Sequence, residues 1–329
     1  MKTILFVTMA AVALIAAGCS NDEGEPADNW NGEIRLSSGI EVQTRATHNL
    51  DVALKAGEKV HVWVDDAGNS SSLYENNEMT VGANKSDLSG GIAMYFPQTG
   101  NKVNIYALHT TSTYLPTNNS FPTNELTHTV ATDQQTTASG TGYQGSDLVY
   151  AKLTEVERKS TATNLSFNHL LSKIEVVLKE GVGESDFLTS EKINKVEILS
   201  TLPDAKFTLT KESAAYGKNA DKTDGIAITA GGTATPITID KDVTDGSEEL
   251  NEAIIVPQAL DGSTTPVPFI QITLNSGGVF TYNLQTTTTF ESGKKYKYVI
   301  TANQTGLTVT SSISPWGSGT GDDNGKAEM

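Results

Sequence analysis

Apolar and polar residues alternate with a period of two along almost the whole chain, and no other feature narrows the fold so much. Val60, Val62 and Val64 are separated by His61 and Trp63. Val103, Ile105 and Ala107 are separated by Asn104 and Tyr106, and Ile174, Val176 and Leu178 by Glu175 and Val177. The pattern returns at Val196 and Ile198, at Phe207 and Leu209, at Ile270, Ile272 and Leu274, and at Tyr296, Tyr298 and Ile300. Successive side chains of a strand point to opposite faces, so each run describes a strand with one apolar face. Turn-forming clusters bound the runs: Asp65-Asp66-Ala67-Gly68, Glu180-Gly181-Val182-Gly183, Asn275-Ser276-Gly277-Gly278 and Ser292-Gly293. Helical periodicity is nearly absent. The expectation is an all-β chain of antiparallel sheets, each with one wet and one buried face. Two polar stretches, Thr110 to Gly145 and Lys211 to Asp224, are expected to be long loops.

The N-terminus speaks to compartment. Lys2 precedes an apolar run from Ile4 to Ala17, and Ala16-Ala17-Gly18 places small residues directly before Cys19. That is the plan of a secretory signal, too short for a stable membrane span. Because the small residues end on a cysteine, the segment resembles a bacterial lipobox, which makes Cys19 the lipidated first residue of the mature chain. Cys19 is the sole cysteine, so an intramolecular disulfide is excluded and no thiol remains for catalysis. The acidic run behind it, Ser20 to Asn29, reads as a solvated tether.

Without residues 1–18 the chain keeps 22 basic and 39 acidic residues. Such a surface repels phosphate and argues against nucleic acid as a partner. The expected organisation is a signal peptide (1–18), an acidic tether (19–32), an N-terminal β-sandwich (33–159), a C-terminal β-sandwich with a terminal strand (160–316), and a polar tail (317–329). The boundary is placed at the charged stretch Glu157-Arg158-Lys159-Ser160.

Chemistry is hard to find. His48, His61, His109, His128 and His169 show no metal-ligand spacing. No Gly-x-Ser-x-Gly elbow announces a nucleophile. Asp240 to Gly246 is a poor calcium loop, because Gly246 falls one place late and Asn251 stands where a glutamate belongs. The chain is read as a non-enzyme, with no cofactor and no metal.

The informative residues lie at the chain ends. Ile34, Leu36, Ile40 and Val42 share even positions, with Ser38 between them, and so face one side of one strand. Behind them comes Gln43-Thr44-Arg45-Ala46-Thr47, a tryptic-type site. At the other end Leu307, Val309 and Ile313 share odd positions, with Ser311 as the gap, and Trp316 follows. A removable leader strand and a detached apolar strand are the parts needed for strand exchange. Backbone hydrogen bonds along an open sheet edge then give affinity, and alternate side chains in pockets give register.

The leader, the Thr44-Arg45-Ala46 junction, Leu165-Ser166-Phe167-Asn168-His169-Leu170-Leu171-Ser172-Lys173-Ile174, Phe290 to Tyr298, and Ile313-Ser314-Pro315-Trp316 together resemble the fimbrillin family of Bacteroidia, the type V or Mfa-like pilins. The resemblance spans nearly the whole chain. It implies two tandem transthyretin-like β-sandwich domains behind a lipoprotein signal peptide, and export to the surface of the outer membrane through a lipid on Cys19. It further implies a cut between Arg45 and Ala46, loss of the strand Glu33–Val42, and a donor segment containing Leu307, Val309 and Ile313. The implied partners are other fimbrial subunits and a host or bacterial receptor. Gly317 to Met329 departs from the stalk pattern, being polar and rich in Gly and Asp, so the chain could serve as stalk, tip or anchor. The alternative function is a glycan-binding surface lipoprotein of a polysaccharide-uptake system, which would need a platform of exposed aromatics.

Overall fold

A computed structural model describes residues 30–40, 54–84, 86–110, 120–135, 142–181, 188–244, 251–303 and 306–316. The chain divides into two compact units, residues 1–31 and 32–329, and all that follows concerns the second. In chain order its first elements are β1 (Leu36–Ile40), β2 (Lys59–Asp66), β3 (Ser72–Val81), β4 (Leu88–Ser89), β5 (Val103–His109), β6 (Leu126–Thr129), the four-residue helix α1 (Gly142–Gly145), β7 (Val149–Val156) and β8 (Thr163–His169). Then come β9 (Ser172–Glu180), β10 (Ile193–Ile198), β11 (Asp204–Phe207), β12 (Ile228–Gly231), β13 (Ile237–Ile239) and β14 (Val243–Thr244). The last are β15 (Asn251–Ile255), β16 (Gln258–Asp261), β17 (Val267–Leu274), β18 (Val279–Leu284), β19 (Thr287–Phe290), β20 (Lys294–Asn303) and β21 (Gly306–Pro315). The fold is all-β, as the alternation requires, and the predicted runs become β2, β5, β9, β10, β11, β17 and β20.

The first sheet has the order β1-β8-β7-β5-β2-β3-β4. Val62 pairs with Ala107 and Val64 with Ile105, so these aliphatics share one buried face, which Leu36, Leu165 and Phe167 continue. Trp63, Tyr106, Leu108 and Tyr150 point the other way and join a continuous core with Phe121, Leu126, Phe207 and Ile174. The sheet is therefore apolar on both faces, not wet on one. Lys211 covers part of this second face. Its ammonium lies 2.5 Å from Asp65 Oδ2 and over the rings of Tyr106 and Phe121, at 5.6 and 5.5 Å from their centroids.

The second half builds a four-stranded sheet, β13-β10-β17-β18, and a sheet β14-β9-β20-β21 in which β15 also pairs with β9. Among the described strands three pairs are parallel: β1 with β8, β9 with β20, and β14 with β9. A period of two carries no strand direction, and all three join segments far apart in the chain. The polar stretch before residue 145 also holds a strand: β6 pairs antiparallel with β11, and β11 with β12.

Candidate functional site

The segment of residues 32–40 is held along both sides. On one side β1 runs parallel to β8, Leu36 opposite Thr163 through Ile40 opposite Phe167, and Thr163 N donates to Arg35 O at 2.8 Å. On the other side Ile34 N donates to Met94 O (2.7 Å), Ser38 N to Ser86 O (2.6 Å), and Phe96 N to Gly32 O (2.9 Å). The segment 86–96 thus bridges β1 to the opposite end of its sheet, and β1 closes the structure as a stave closes a barrel. Ile34, Leu36 and Ser38 are each 4% exposed, while Arg35 points to solvent with its guanidinium 3.8 Å from Glu33. The even phase is the inward one.

A cavity of about 470 Å³ flanks β1, walled by Leu36, Met79, Leu88, Ile92 and Met94. Its rim is shaped by Gly90-Gly91. Gly91 has a φ of +69°, and a Cβ there would stand 2.1 Å from Asn77 Oδ1. Glycine is required because buried Asn77 clamps the next residue, accepting from Ile92 N at 2.8 Å and donating to Ile92 O at 2.9 Å. Ile92 remains exposed at this rim.

The C-terminal strand lies in a different sheet. β21 pairs with β20 over ten consecutive residues, Lys294 opposite Pro315 through Asn303 opposite Gly306, without a bulge. Its outer edge has no strand partner among the described residues. Val309 is buried, Leu307 and Ser311 are half-buried, and Ile313 is 40% exposed. A cleft of about 420 Å³ opens beside it, lined by Tyr282, Leu284, Tyr296, Tyr298, Leu307 and Val309. Trp316 ends the strand as a latch. Its indole stacks on the His169 ring at 3.7 Å and 5°, and the Trp316 main-chain N–H donates to Gly293 O at 2.7 Å. His169 Nδ1 in turn donates to buried Asp147 at 2.9 Å.

The structure thus places Ile34 and Leu36 in the core, describes Ile40 through its backbone, and sets Leu307, Val309 and Ile313 at an edge of another sheet. Cys19, Val42, Arg45 and Ala46 lie outside the described residues. The latch at Trp316 was foreshadowed only by the aromatic itself, since nothing near Asp147 in the sequence signals its partner. Trp63 is buried edge-on against Phe121, and with Trp316 also buried neither tryptophan offers a flat binding platform.

Among the described residues, His61, His109, His128 and His169 serve as internal hydrogen-bonding groups. His128 Nε2 donates to Ser146 O (2.9 Å) and Nδ1 accepts from Thr110 Oγ1 (2.8 Å), which leaves the ring neutral. Burial holds its pKa down at about 4, His109 pushing further down while the Ser146 carbonyl and Asp147 push up. An unfolded histidine titrates near 6.5. The unfolded chain therefore binds a proton that the folded chain refuses, and stability falls as pH drops from about 6.5 to 4. The expected contribution of this residue is about 3 kcal/mol across that window. Urea unfolding at stepped pH should show a shallower slope for His128→Gln; an unchanged slope would remove His128 from the account.

Comparison with known proteins places this geometry. A family model described as fimbrillin-like matches residues 44–316. A presumptive fimbrium subunit of Bacteroides uniformis, Fim1C, is 24% identical over 99% of this chain and 99% of its own. The crystal structure of a presumptive cell adhesion protein from Bacteroides ovatus is similar with a TM-score of 0.61 at 18% identity, covering 86% of this chain and 97% of that one. One from Bacteroides uniformis gives 0.57 at 20% identity, covering 89% and 100%. At these identities the likeness to solved structures concerns the fold.

Proposed function

The chain belongs to the fimbrillin-like family, and on that premise we propose that it is a structural or adhesive subunit of a cell-surface fimbria that polymerises by protease-triggered strand exchange. In this reading Cys19 carries the lipid that brings the subunit to the outer membrane. Cleavage between Arg45 and Ala46 frees the strand Glu33–Val42, and a strand from a neighbouring subunit fills the vacated groove. The donor segment contains Leu307, Val309 and Ile313. The role is structural and involves no catalytic step on a substrate and no cofactor.

The observation that carries the reading is the position of β1. Together with the residues just before it, it closes its sheet, buries Ile34, Leu36 and Ser38, and hydrogen-bonds on both sides. It is also short and parallel to β8, and parallel pairing is slightly weaker per residue than antiparallel. A strand so placed holds well while tethered and is replaceable once cut. The glycan-binding alternative has less support, because Trp63 and Trp316 are inside the fold.

Two outcomes test the surface assignment. Cys19→Ser is expected to lose incorporated radiolabelled palmitate, since only a thiol forms the thioether. Equal labelling of wild type and variant would end the lipid-anchor assignment. Immunogold against the folded body is expected to decorate filaments at the cell surface; labelling confined to the cell interior would end the fimbrial reading.

A further inference from the structure

The two end segments carry the same residue pattern along one phase. Along the even phase the leader reads Ile34, Leu36, Ser38, Ile40; along the odd phase β21 reads Leu307, Val309, Ser311, Ile313. Each is aliphatic, aliphatic, serine, isoleucine in the chain direction. Val196, Ile198 and Ser200 share the spacing, but β10 ends at Ile198 and Ser200 has a φ of +65°, so no strand carries that copy through.

The two copies are housed differently. Ile34, Leu36 and Ser38 are each 4% exposed, whereas Ile313 is 40% exposed and Leu307 and Ser311 are half-buried. β21 thus keeps the side-chain pattern of β1 in a site that covers it less completely. It also contains no charged residue, in a chain of net charge −16. Entering an apolar groove would therefore remove no charge from water, and two acidic bodies could meet along this edge without placing like charges together.

The serine position is the one buried polar place of the set, 4% exposed between aliphatic neighbours. Ser38 N donates to Ser86 O at 2.6 Å, and Ser38 Oγ stands 3.3 Å from that same carbonyl oxygen. The slot thus encloses a side chain of two heavy atoms whose hydroxyl has a partner inside it, and a larger aliphatic there would have to displace its walls. We propose that this slot is the register key of the exchange: β21 of a second copy enters parallel to β8, with Leu307, Val309 and Ser311 in the places of Ile34, Leu36 and Ser38. This rests on the strand-exchange reading given above and adds to it the direction and the register in which the donor is held. A slip of two residues either way puts Val309 or Ile313 into the serine slot, and a slip of one turns the apolar face to solvent. Reversing the strand with Ser311 in its slot puts Pro315 in the place of Ile34, whose N–H bonds Met94 O; proline has none to give.

The test uses the mature full-length chain trimmed by an arginine-specific protease, its new N-terminus at Ala46 checked by mass. A fluorescein-labelled peptide of residues 306–315 is titrated by anisotropy. Native and Ser311→Ala peptides are expected to bind the trimmed protein and not the untrimmed one. Ser311→Leu is expected to bind at least about tenfold more weakly, the usual scale of overpacking a tight site. Thr310→Leu, on the opposite face, is expected to bind within about threefold of native, as surface changes do. Ser311→Leu binding as tightly as native would overturn the register key and leave strand exchange standing. Failure of the native peptide to bind trimmed protein would overturn strand exchange and the key with it.

Discussion

Cutting after Arg45 is expected to turn a monomer into ladders that survive mild detergent, and Arg45→Ala is expected to stay uncut and monomeric. The chain has three arginines, Arg35, Arg45 and Arg158, and Arg45 is the one that follows the even-phase segment. While the chain is intact, Ile34 and Leu36 are buried in the core, each contributing roughly 1.5–3 kcal/mol. Their tether also keeps the strand at an effective concentration on the order of 1 mM. Once cut and diluted to about 1 μM, the same strand rebinds against a loss of roughly 4 kcal/mol. That is comparable to the burial of both aliphatics, so the cut alone shifts the balance toward any donor with matching side chains. The donor must first leave β20 and lift Trp316 off His169, so ladders should grow slowly. Electrophoresis without boiling, with and without an arginine-specific protease, reads the result. Trimmed protein that stays monomeric at high concentration, with β21 protected from hydrogen exchange in its own sheet, would refute the donor role of Leu307, Val309 and Ile313.

What could be read from the sequence is what alternation encodes. β2, β5 and β20 were visible because apolar residues repeat every second position, and β1 because its apolar residues keep an even phase broken only by Ser38. β6 was not visible: it is four residues long, and one of its two buried positions is His128, which alternation scores as polar. Nor could pattern reveal that residues 86–96 meet β1, because those contacts run through main-chain groups and turn on Gly90-Gly91. Trp63 was legible as a strand residue, but its burial depends on Phe121 from a stretch that reads as loop. The latch at Trp316 joins three residues from distant parts of the chain, and no local signal links them.

β9 shows the same limit in its sharpest form and carries the second large expected effect. Lys173 and Glu175 alternate with Ile174 and Val176, so they read as the wet face of the strand, yet the Lys173 side chain is 0% exposed. Its ammonium sits 2.5 Å from Glu252 Oε1 on β15 and 3.3 Å from Glu175 Oε1, while Lys295 on β20 reaches Glu175 at 3.2 Å. Glu175 and Glu252 are direct cross-strand partners, so Lys173 separates two buried carboxylates that would otherwise face each other. Breaking a buried ion pair from one side typically costs about 3–5 kcal/mol, because the remaining charge has lost both its hydration and a main counter-charge. Lys173→Met is expected to lose that much stability in urea unfolding. Adding Glu252→Met should recover at least about half of the loss, since apolar residues of similar volume can replace a buried pair at little cost. The consequence reaches the chain end, because β20, which carries β21, pairs with β9 through this same register. A loss below about 1 kcal/mol for Lys173→Met would fall in the range of an exposed pair and would mean that water reaches the carboxylates and that the network is not what ties β20 to the middle of its sheet.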